Sequence, residues 1–358
     1  MNILFINNKR NWGGVLSLID RLAVKLAEEN HQTWIISNKN SDSTSKFSKE
    51  LKIIPRTFGM DYNPLLILYF IRFVKRNRID VVVSNIHKEV IAGGIASRIC
   101  KIRNFRLIGN ERDFNRHQWI HELLVDKSIF PYRRVKELSL ELFPHLKEKK
   151  LAVVYIGTKI QQVSRQETIK AKQLFNIPDN ALVIGVTGRL VKEKGVHILI
   201  RAFKEFVAEY QNVVLMITGS GVFQEELKSL VSSLELQSRV IFTGFIPNSN
   251  IPNINSIYDI AVMPSFYESF AITLLEYFSL GKAVISTDVG VAAELITDNV
   301  NGFLIKENNV ESLVDKLKLL VTDQSLRERF GKNAQQKIKN NFSEETMVKE
   351  FLNVFSEN

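Results

Sequence analysis

Pro264-Ser265-Phe266-Tyr267-Glu268-Ser269-Phe270-Ala271-Ile272-Thr273-Leu274-Leu275-Glu276 follows a short apolar run, Asp259 to Met263, and then takes helical spacing, with Phe270, Leu274 and Leu275 turned inward. The stretch reads as strand, loop, helix. Glu268 stands on the loop, and Glu276, about two turns into the helix, is expected to share a face with Ser269 and Thr273. The free backbone N–H groups of Ser269 and Phe270 would point out of the helix start, where the dipole favours an anion. A carboxylate beside an anion site suits hydroxyl groups, so the ligand expected here carries both phosphate and sugar. Two glutamates flanking an amphipathic helix are often solvated surface charges. The loops that precede this one decide the matter.

Working outward, each strand before and after this stretch ends in a comparable loop. Gly188-Arg189-Leu190-Val191-Lys192-Glu193-Lys194-Gly195 leads from the strand Ala181 to Thr187 into a helix. It places Arg189 and Lys194, with two glycines, where a diphosphate could meet paired cations and backbone N–H groups. Gly219-Ser220-Gly221 follows the strand Val213 to Thr218, Phe242-Thr243-Gly244-Phe245 closes the next, and Ser286-Thr287-Asp288-Val289-Gly290, with Glu294 beyond it, comes last. One such loop is a turn. Five in register describe a ligand edge.

The N-terminal half has the same alternation. Ile3 to Asn7 runs into Asn8-Lys9-Arg10-Asn11-Trp12-Gly13-Gly14 and a helix from Val15 to Glu29. Strands at Thr33–Ser37, Ile53–Ile54, Asp80–Ser84 and Phe105–Gly109 alternate with helices at Pro64–Arg76 and Lys88–Lys101, the pattern of a covered parallel sheet. Residues 121–150 read as a helical, strongly basic insertion, and Leu151 to Gly157 as the last strand. The fold expected is therefore α/β: two Rossmann-like domains whose facing sheet edges leave a cleft, with residues 1–155 as the first domain and 156–341 as the second. Residues 342–358 form a closing helix.

Composition bounds the classes of function. The 358 residues carry a net charge of +10, distributed unevenly: residues 1–155 hold 27 Lys and Arg against 15 Asp and Glu, and residues 156–358 hold 21 against 23. An anionic membrane surface or a nucleic acid could answer the basic half, but no nucleic-acid recognition module or stacking motif accompanies the charge. No apolar run reaches the ~20 residues of a spanning helix, and the chain enters its first strand without a leader. The single cysteine, Cys100, fits a reducing compartment. The expectation is a cytoplasmic protein, soluble or peripheral on the inner face of the cell membrane. A dinucleotide-dependent oxidoreductase is disfavoured, because Gly13-Gly14 is not a Gly-x-Gly-x-x-Gly fingerprint.

The series Gly188-Arg189-Leu190, Lys192-Glu193-Lys194-Gly195, Gly219-Ser220-Gly221, Phe242-Thr243-Gly244, Pro264-Ser265, Glu268 to Glu276, Ser286 to Gly290 and Asn301-Gly302-Phe303 resembles the family-4 retaining glycosyltransferases of GT-B fold, the group 1 glycosyltransferases. The likeness is specific over residues 180–305 and looser before, where Gly13-Gly14 and Val154-Tyr155-Ile156-Gly157 carry it. Phe342-Ser343-Glu344-Glu345 and the amphipathic Met347 to Phe355 resemble the family's final helix, which crosses back onto the N-terminal domain. The resemblance implies that the N-terminal domain takes the acceptor and the C-terminal domain a nucleotide-diphosphate sugar of UDP or GDP type. Arg189 and Lys194 would bind the diphosphate, Glu276 the ribose hydroxyls, and Glu268 would lie by the transferred sugar with the N–H groups of Ser269 and Phe270. Gly14, Gly188, Gly219, Phe245 and Ala271 complete the expected donor contacts.

No Asp-x-Asp motif is present, so a cationic pair rather than a metal is expected to stabilise the leaving diphosphate, with no cofactor. With retention and no evident nucleophile, the implied mechanism is front-face substitution, in which the departing phosphate accepts the acceptor's proton. The acceptor expected is a lipid-linked glycan, with Arg133, Arg134, Lys136, Lys147, Lys149 and Lys150 meeting anionic headgroups and Phe130, Tyr132 and Phe143 entering the interface. Several positions depart from the family pattern. Ser269 stands where glycine is usual, Ser220 where aspartate is common, and Tyr277 where alanine is typical, which would narrow the sugar pocket. Asn110-Glu111-Arg112-Asp113 replaces a histidine found in many relatives, leaving Asp113, with Arg112, as the candidate that orients the acceptor and His117 as a surface residue. That missing histidine also keeps open a non-catalytic nucleotide-sugar-binding protein on the same fold.

Overall fold

Parallel strands need long crossovers, and in this chain the crossovers are helices. The computed structural model describes residues 1–9, 13–39, 44–59, 63–109, 118–268 and 270–357. The chain divides into two units, Met1–Gly157 with Glu344–Asn358, and Thr158–Ser343. In the first, β1 (Asn2–Asn7), α1 (Gly14–Glu28), β2 (Gln32–Asn38), β3 (Lys52–Arg56), α2 (Pro64–Arg76), β4 (Val81–Ser84) and α3 (His87–Cys100) are followed by β5 (Arg103–Leu107), α4 (Gln118–Leu124), β6 (Lys127–Phe130), α5 (Arg133–Leu142) and β7 (Leu151–Val153). Among the described residues these strands form one parallel sheet in the order β3-β2-β1-β4-β5-β6-β7.

The second unit repeats the design. It comprises α6 (Arg165–Leu174), β8 (Leu182–Thr187), α7 (Val196–Val207), β9 (Val213–Thr218), α8 (Gln224–Ser233), β10 (Val240–Gly244), α9 (Ile251–Ser256), β11 (Ile260–Met263) and α10 (Ile272–Ser279). It continues with β12 (Ala283–Thr287), α11 (Ala292–Leu295), β13 (Phe303–Ile305), α12 (Val310–Thr322) and α13 (Gln324–Asn341), and its parallel sheet has the order β10-β9-β8-β11-β12-β13. Two Rossmann-like units in one chain are the GT-B type of α/β fold.

Burial explains why the strands read as unbroken apolar runs. Ile3, Leu4, Phe5 and Ile6 of β1 and Ile260, Ala261 and Val262 of β11 have no solvent exposure, as expected of strands covered by helices on both faces. Helix α2 starts where Asn63 Oδ1 accepts from the N–H groups of Leu65 and Leu66 at 3.1 and 3.3 Å and Pro64 takes the first turn. The last helix, α14 (Glu344–Ser356), belongs to the first unit. Its Phe355 ring lies 4.9 Å from that of Phe105, and Met347, Val348 and Phe351 are buried with it. Each of these side chains contributes roughly 1.5–3 kcal/mol by leaving water.

Two expectations need correction. The basic segment 121–150 is not wholly helical, because β6 lies inside it, between β5 and β7. Lys127-Ser128-Ile129-Phe130 is too short and too polar at its start to announce a strand, yet Ser128, Ile129 and Phe130 are buried. Phe130 and Tyr132, at 0% and 3% exposure, are therefore core residues and cannot enter a membrane interface. Among the described residues no helix is long and apolar enough to cross a membrane.

Candidate functional site

The strand order of the second unit reverses between β8 and β11, which pair through Ile184–Ile260 and Gly185–Ala261. Loops leaving the carboxyl ends of two such strands diverge to opposite faces and open a crevice. From β8 comes the loop carrying Gly188, Arg189 and Lys194, and from β11 the loop carrying Ser265 and Glu268. Phe266 N–H donates to Glu193 O at 2.8 Å and ties the two loops together. Gly195 makes their approach possible: its φ is +65°, and a Cβ there would stand 1.9 Å from Pro264 O.

Thr187, Gly188, Arg189, Lys194, Ser265, Glu268 and Thr273 line the resulting pocket. Glu268 is 9% exposed, and its Oε1 accepts from Lys194 Nζ at 2.5 Å and from Ser265 Oγ at 2.8 Å. A third loop confines it, since a Cβ on Gly290, φ +57°, would come within 2.8 Å of Glu268 O. Thr287, at the end of β12, donates its hydroxyl to Ser265 O at 2.6 Å. With the ion pair formed, about 10 Å³ of the pocket is open, room for about one water. Arg189 is solvent-exposed at the rim.

Beneath this pocket lies a buried polar floor that sequence reasoning missed. Thr187 N–H donates to the phenol of Tyr277 at 2.7 Å, and Thr187 Oγ1 donates to Asn255 Oδ1 at 2.7 Å. The Tyr258 hydroxyl lies 2.9 Å from Thr187 Oγ1 and 2.7 Å from Thr218 Oγ1. Burial pushes the Tyr258 phenol up to about 12 and the Tyr277 phenol well above its usual range, so both stay neutral. Tyr277 is thus a support under the β8 loop and does not narrow the pocket. Its ring period in α10 could have shown it buried, but not its partner 90 residues away.

The other expected residues fall as follows. Gly219, φ +130°, packs on the β8 loop so tightly that a Cβ would lie 1.9 Å from Gly188 O. Phe245, 73% exposed after β10, does not line the pocket. Helix α10 begins at Ile272, later than expected, with Ala271 before it in the left-handed region at φ +58°. Phe270 and Ala271 are accordingly buried residues that precede the first turn, with Ala271 as its N-cap, and Glu276 lies one turn into α10, half-buried, on the face of Thr273. Ser269, Asp113, Arg112 and His117 lie outside the described residues. Gly14 opens α1 in the first unit.

The first unit has a reversal of its own, between β1 and β4. Glu89, fully buried in the first turn of α3, accepts from the backbone N–H groups of Asn85 at 2.8 Å, Ile86 at 3.0 Å and Asn8. Burial pushes its carboxyl up to about 7 against those three donors, which pull it down. Beside it His87 Nδ1 lies 2.7 Å from His121 Nε2. None of these was singled out from sequence; the acidic residue three places after Ile86 was the available signal.

Comparison with known proteins agrees with this arrangement. Residues 166–337 match the family described as glycosyl transferases group 1. An uncharacterised glycosyltransferase of Methanocaldococcus jannaschii is 30% identical over 227 residues, covering 62% of this chain and 58% of that protein. The UDP-Gal:alpha-D-GlcNAc-diphosphoundecaprenol alpha-1,3-galactosyltransferase of Escherichia coli is 24% identical over 302 residues, 79% of this chain and 76% of its own. The chain spans little more than half the length of the archaeal relatives it matches. Among solved structures, Anabaena HepE in complex with UDP superimposes with a TM-score of 0.88 at 20% identity, over 99% of this chain and 100% of that one.

Proposed function

From the match of residues 166–337, most of the second unit, to the group 1 glycosyl transferases, we propose that the protein is a retaining glycosyltransferase using a UDP- or GDP-sugar. The observation that carries this reading is the Lys194–Glu268–Ser265 group at the β8/β11 reversal, with Arg189 at its rim. A nucleotide diphosphate entering the pocket offers Lys194 a doubly charged partner in place of Glu268. The diphosphate is then held by Lys194 and Arg189, and the freed carboxylate of Glu268 accepts from hydroxyls of the sugar. As the glycosidic C–O bond to the phosphate breaks, charge grows on the leaving oxygen and the two cations stabilise it more than they stabilise the bound donor. The departing phosphate takes the proton of the acceptor hydroxyl as the new bond forms on the same face. Glu276, on the Thr273 face of α10, bonds the ribose. Ser269 and Asp113 keep the roles the resemblance implies, at the sugar and at the acceptor.

A metal-independent reaction follows from the cationic pair. The acceptor is a glycan, lipid-linked as in the name of the Escherichia coli relative, and the process surface polysaccharide or lipopolysaccharide synthesis. Peripheral contact with an anionic membrane is kept, with its apolar part reassigned: Leu65 and Leu68 of α2, 77% and 41% exposed, stand with the cations Arg72, Lys75 and Arg76 where buried Phe130 and Tyr132 cannot serve.

Titration calorimetry with UDP and GDP tests the donor reading. One nucleotide should bind, and Glu276→Ala should weaken it by roughly 1.5–3 kcal/mol through the lost charged hydrogen bonds. Turnover of the matching nucleotide sugar should survive EDTA. Absence of binding by either nucleotide refutes the donor site, and loss of activity in EDTA with recovery on adding metal refutes the metal-free clamp.

A further inference from the structure

The basic excess of the first unit is not spread evenly over its surface. At the amino ends of β5, β6 and β7, the edge of the sheet opposite the loops described above, a cavity of about 710 Å³ opens between the end of α3 and the end of α14. Arg98, Lys101, Arg103, Lys127, Lys149 and Lys150 line it, against two carboxylates, Asp126 and Glu357. Ser128 pairs with Leu151, so Lys127 and Lys150 start neighbouring strands side by side. Ile102 and Phe105 give the cavity an apolar floor, which strengthens any charge interaction above it.

Four of these cations are held by bonds to the protein. Lys150 Nζ donates to the carbonyls of Glu122 at 2.6 Å and Val125 at 3.1 Å, and Arg98 Nη2 donates to Leu123 O at 3.1 Å and stands 3.4 Å from Asp126. Arg103 donates to Phe355 O, and Lys127 pairs with Glu357. Burial first, and then the charge of Arg98, lowers the pKa of Lys150, while Glu122 and Asp126 act the other way. Like charges gathered around one cavity, with fewer carboxylates than cations, need a further anion to balance them. Lys101 and Lys149 are the exposed lysines of the lining. Tetrahedral phosphate oxygens suit such a ring of ammonium and guanidinium donors.

We propose that this cavity is a phosphate-binding site separate from the donor pocket, taking either the headgroup of an anionic phospholipid or a free phosphate compound. The site is independent of the nucleotide-sugar reading. It is tested in the Arg189→Ala/Lys194→Ala background, where a diphosphate site in the second unit does not report. Pyrophosphate is titrated into that protein, and vesicles of phosphatidylcholine with and without phosphatidylglycerol are co-sedimented with it, before and after adding Lys101→Gln and Lys149→Gln. Both added changes are at exposed positions, and circular dichroism checks the fold. The expected result is pyrophosphate binding that weakens at least about tenfold in the lysine variant, the factor given by one charge-assisted hydrogen bond. Lysine-dependent preference for the anionic vesicles without pyrophosphate binding also supports the site and names a lipid headgroup as its source. Pyrophosphate binding that the two lysine changes leave unaltered overturns the proposal, as does the absence of both pyrophosphate binding and lysine-dependent vesicle binding; vesicle binding that persists without the two lysines belongs to the α2 face.

Discussion

Each unit places a glutamate where its strand order reverses, and the two are held by different donors. Glu89 takes backbone N–H groups of Asn8, Asn85 and Ile86 in full burial. Glu268 takes a lysine ammonium and a serine hydroxyl at the wall of a pocket. A backbone N–H cannot leave without moving its loop, so Glu89 staples β1's loop to β4's and has no freedom to exchange. A lysine side chain swings on four rotatable bonds, so Glu268 can give up its partner to an incoming anion. The difference lies in the donor and not in the acid: the proposed role of Glu268 needs a partner that can move, and the partners of Glu89 are main-chain groups.

The largest test of that contrast is Lys194→Ala, which should lower turnover about 10²–10³-fold, the usual loss when one group stabilising a leaving anion is removed, with little change in thermal stability. A stability loss that accounts for the lost activity would make Lys194 structural as well. Next comes the pH dependence of Glu89. Its folded value of about 7 lies above the 4.5 of an ordinary glutamate; its stabilising contribution is therefore fully present below about pH 4.5 and lost as pH rises through about 7. Between those limits the unfolding free energy of wild type should fall relative to Glu89→Gln by a few kcal/mol, on the order of 3. Parallel stability profiles for the two proteins would show that the three N–H groups outweigh burial. The smallest effect is that of Tyr277→Phe, which leaves the buried N–H of Thr187 without its acceptor. It should cost roughly 1–3 kcal/mol of stability and should raise KM for the donor more than it lowers kcat, because the β8 loop is loosened. An unchanged KM would confine Tyr277 to the core.

Much of this was legible in the chain. Arg189, Lys194 and Glu268 could be found because each follows an apolar strand and adjoins glycines, and parallel strands deliver such loops to one edge. The start of α10 was misjudged because Phe270-Ala271 has helical composition, while Ala271 lies in the left-handed region and the helix begins only at Ile272. Strand β6 escaped notice because its four residues lie between two short helices and owe their state to neighbouring strands on both sides. Glu89 and Tyr277 each hold a partner far along the chain, 81 and 90 positions away; for Glu89 a local signal existed in its place three residues after Ile86, but for Tyr277 no local pattern records its partner.

The docking of α14 on the first unit means that both ends of the described chain belong to one body, with the whole of the second unit threaded between Gly157 and Glu344. Thr158 N–H donates to Phe342 O at 2.9 Å, so the strands entering and leaving that unit run side by side. Under a stretching force applied at the two termini, the load falls first on the contacts that hold α14 to α1 and, through Phe355 and Phe105, to β5. The second unit feels tension only after that helix has been peeled away.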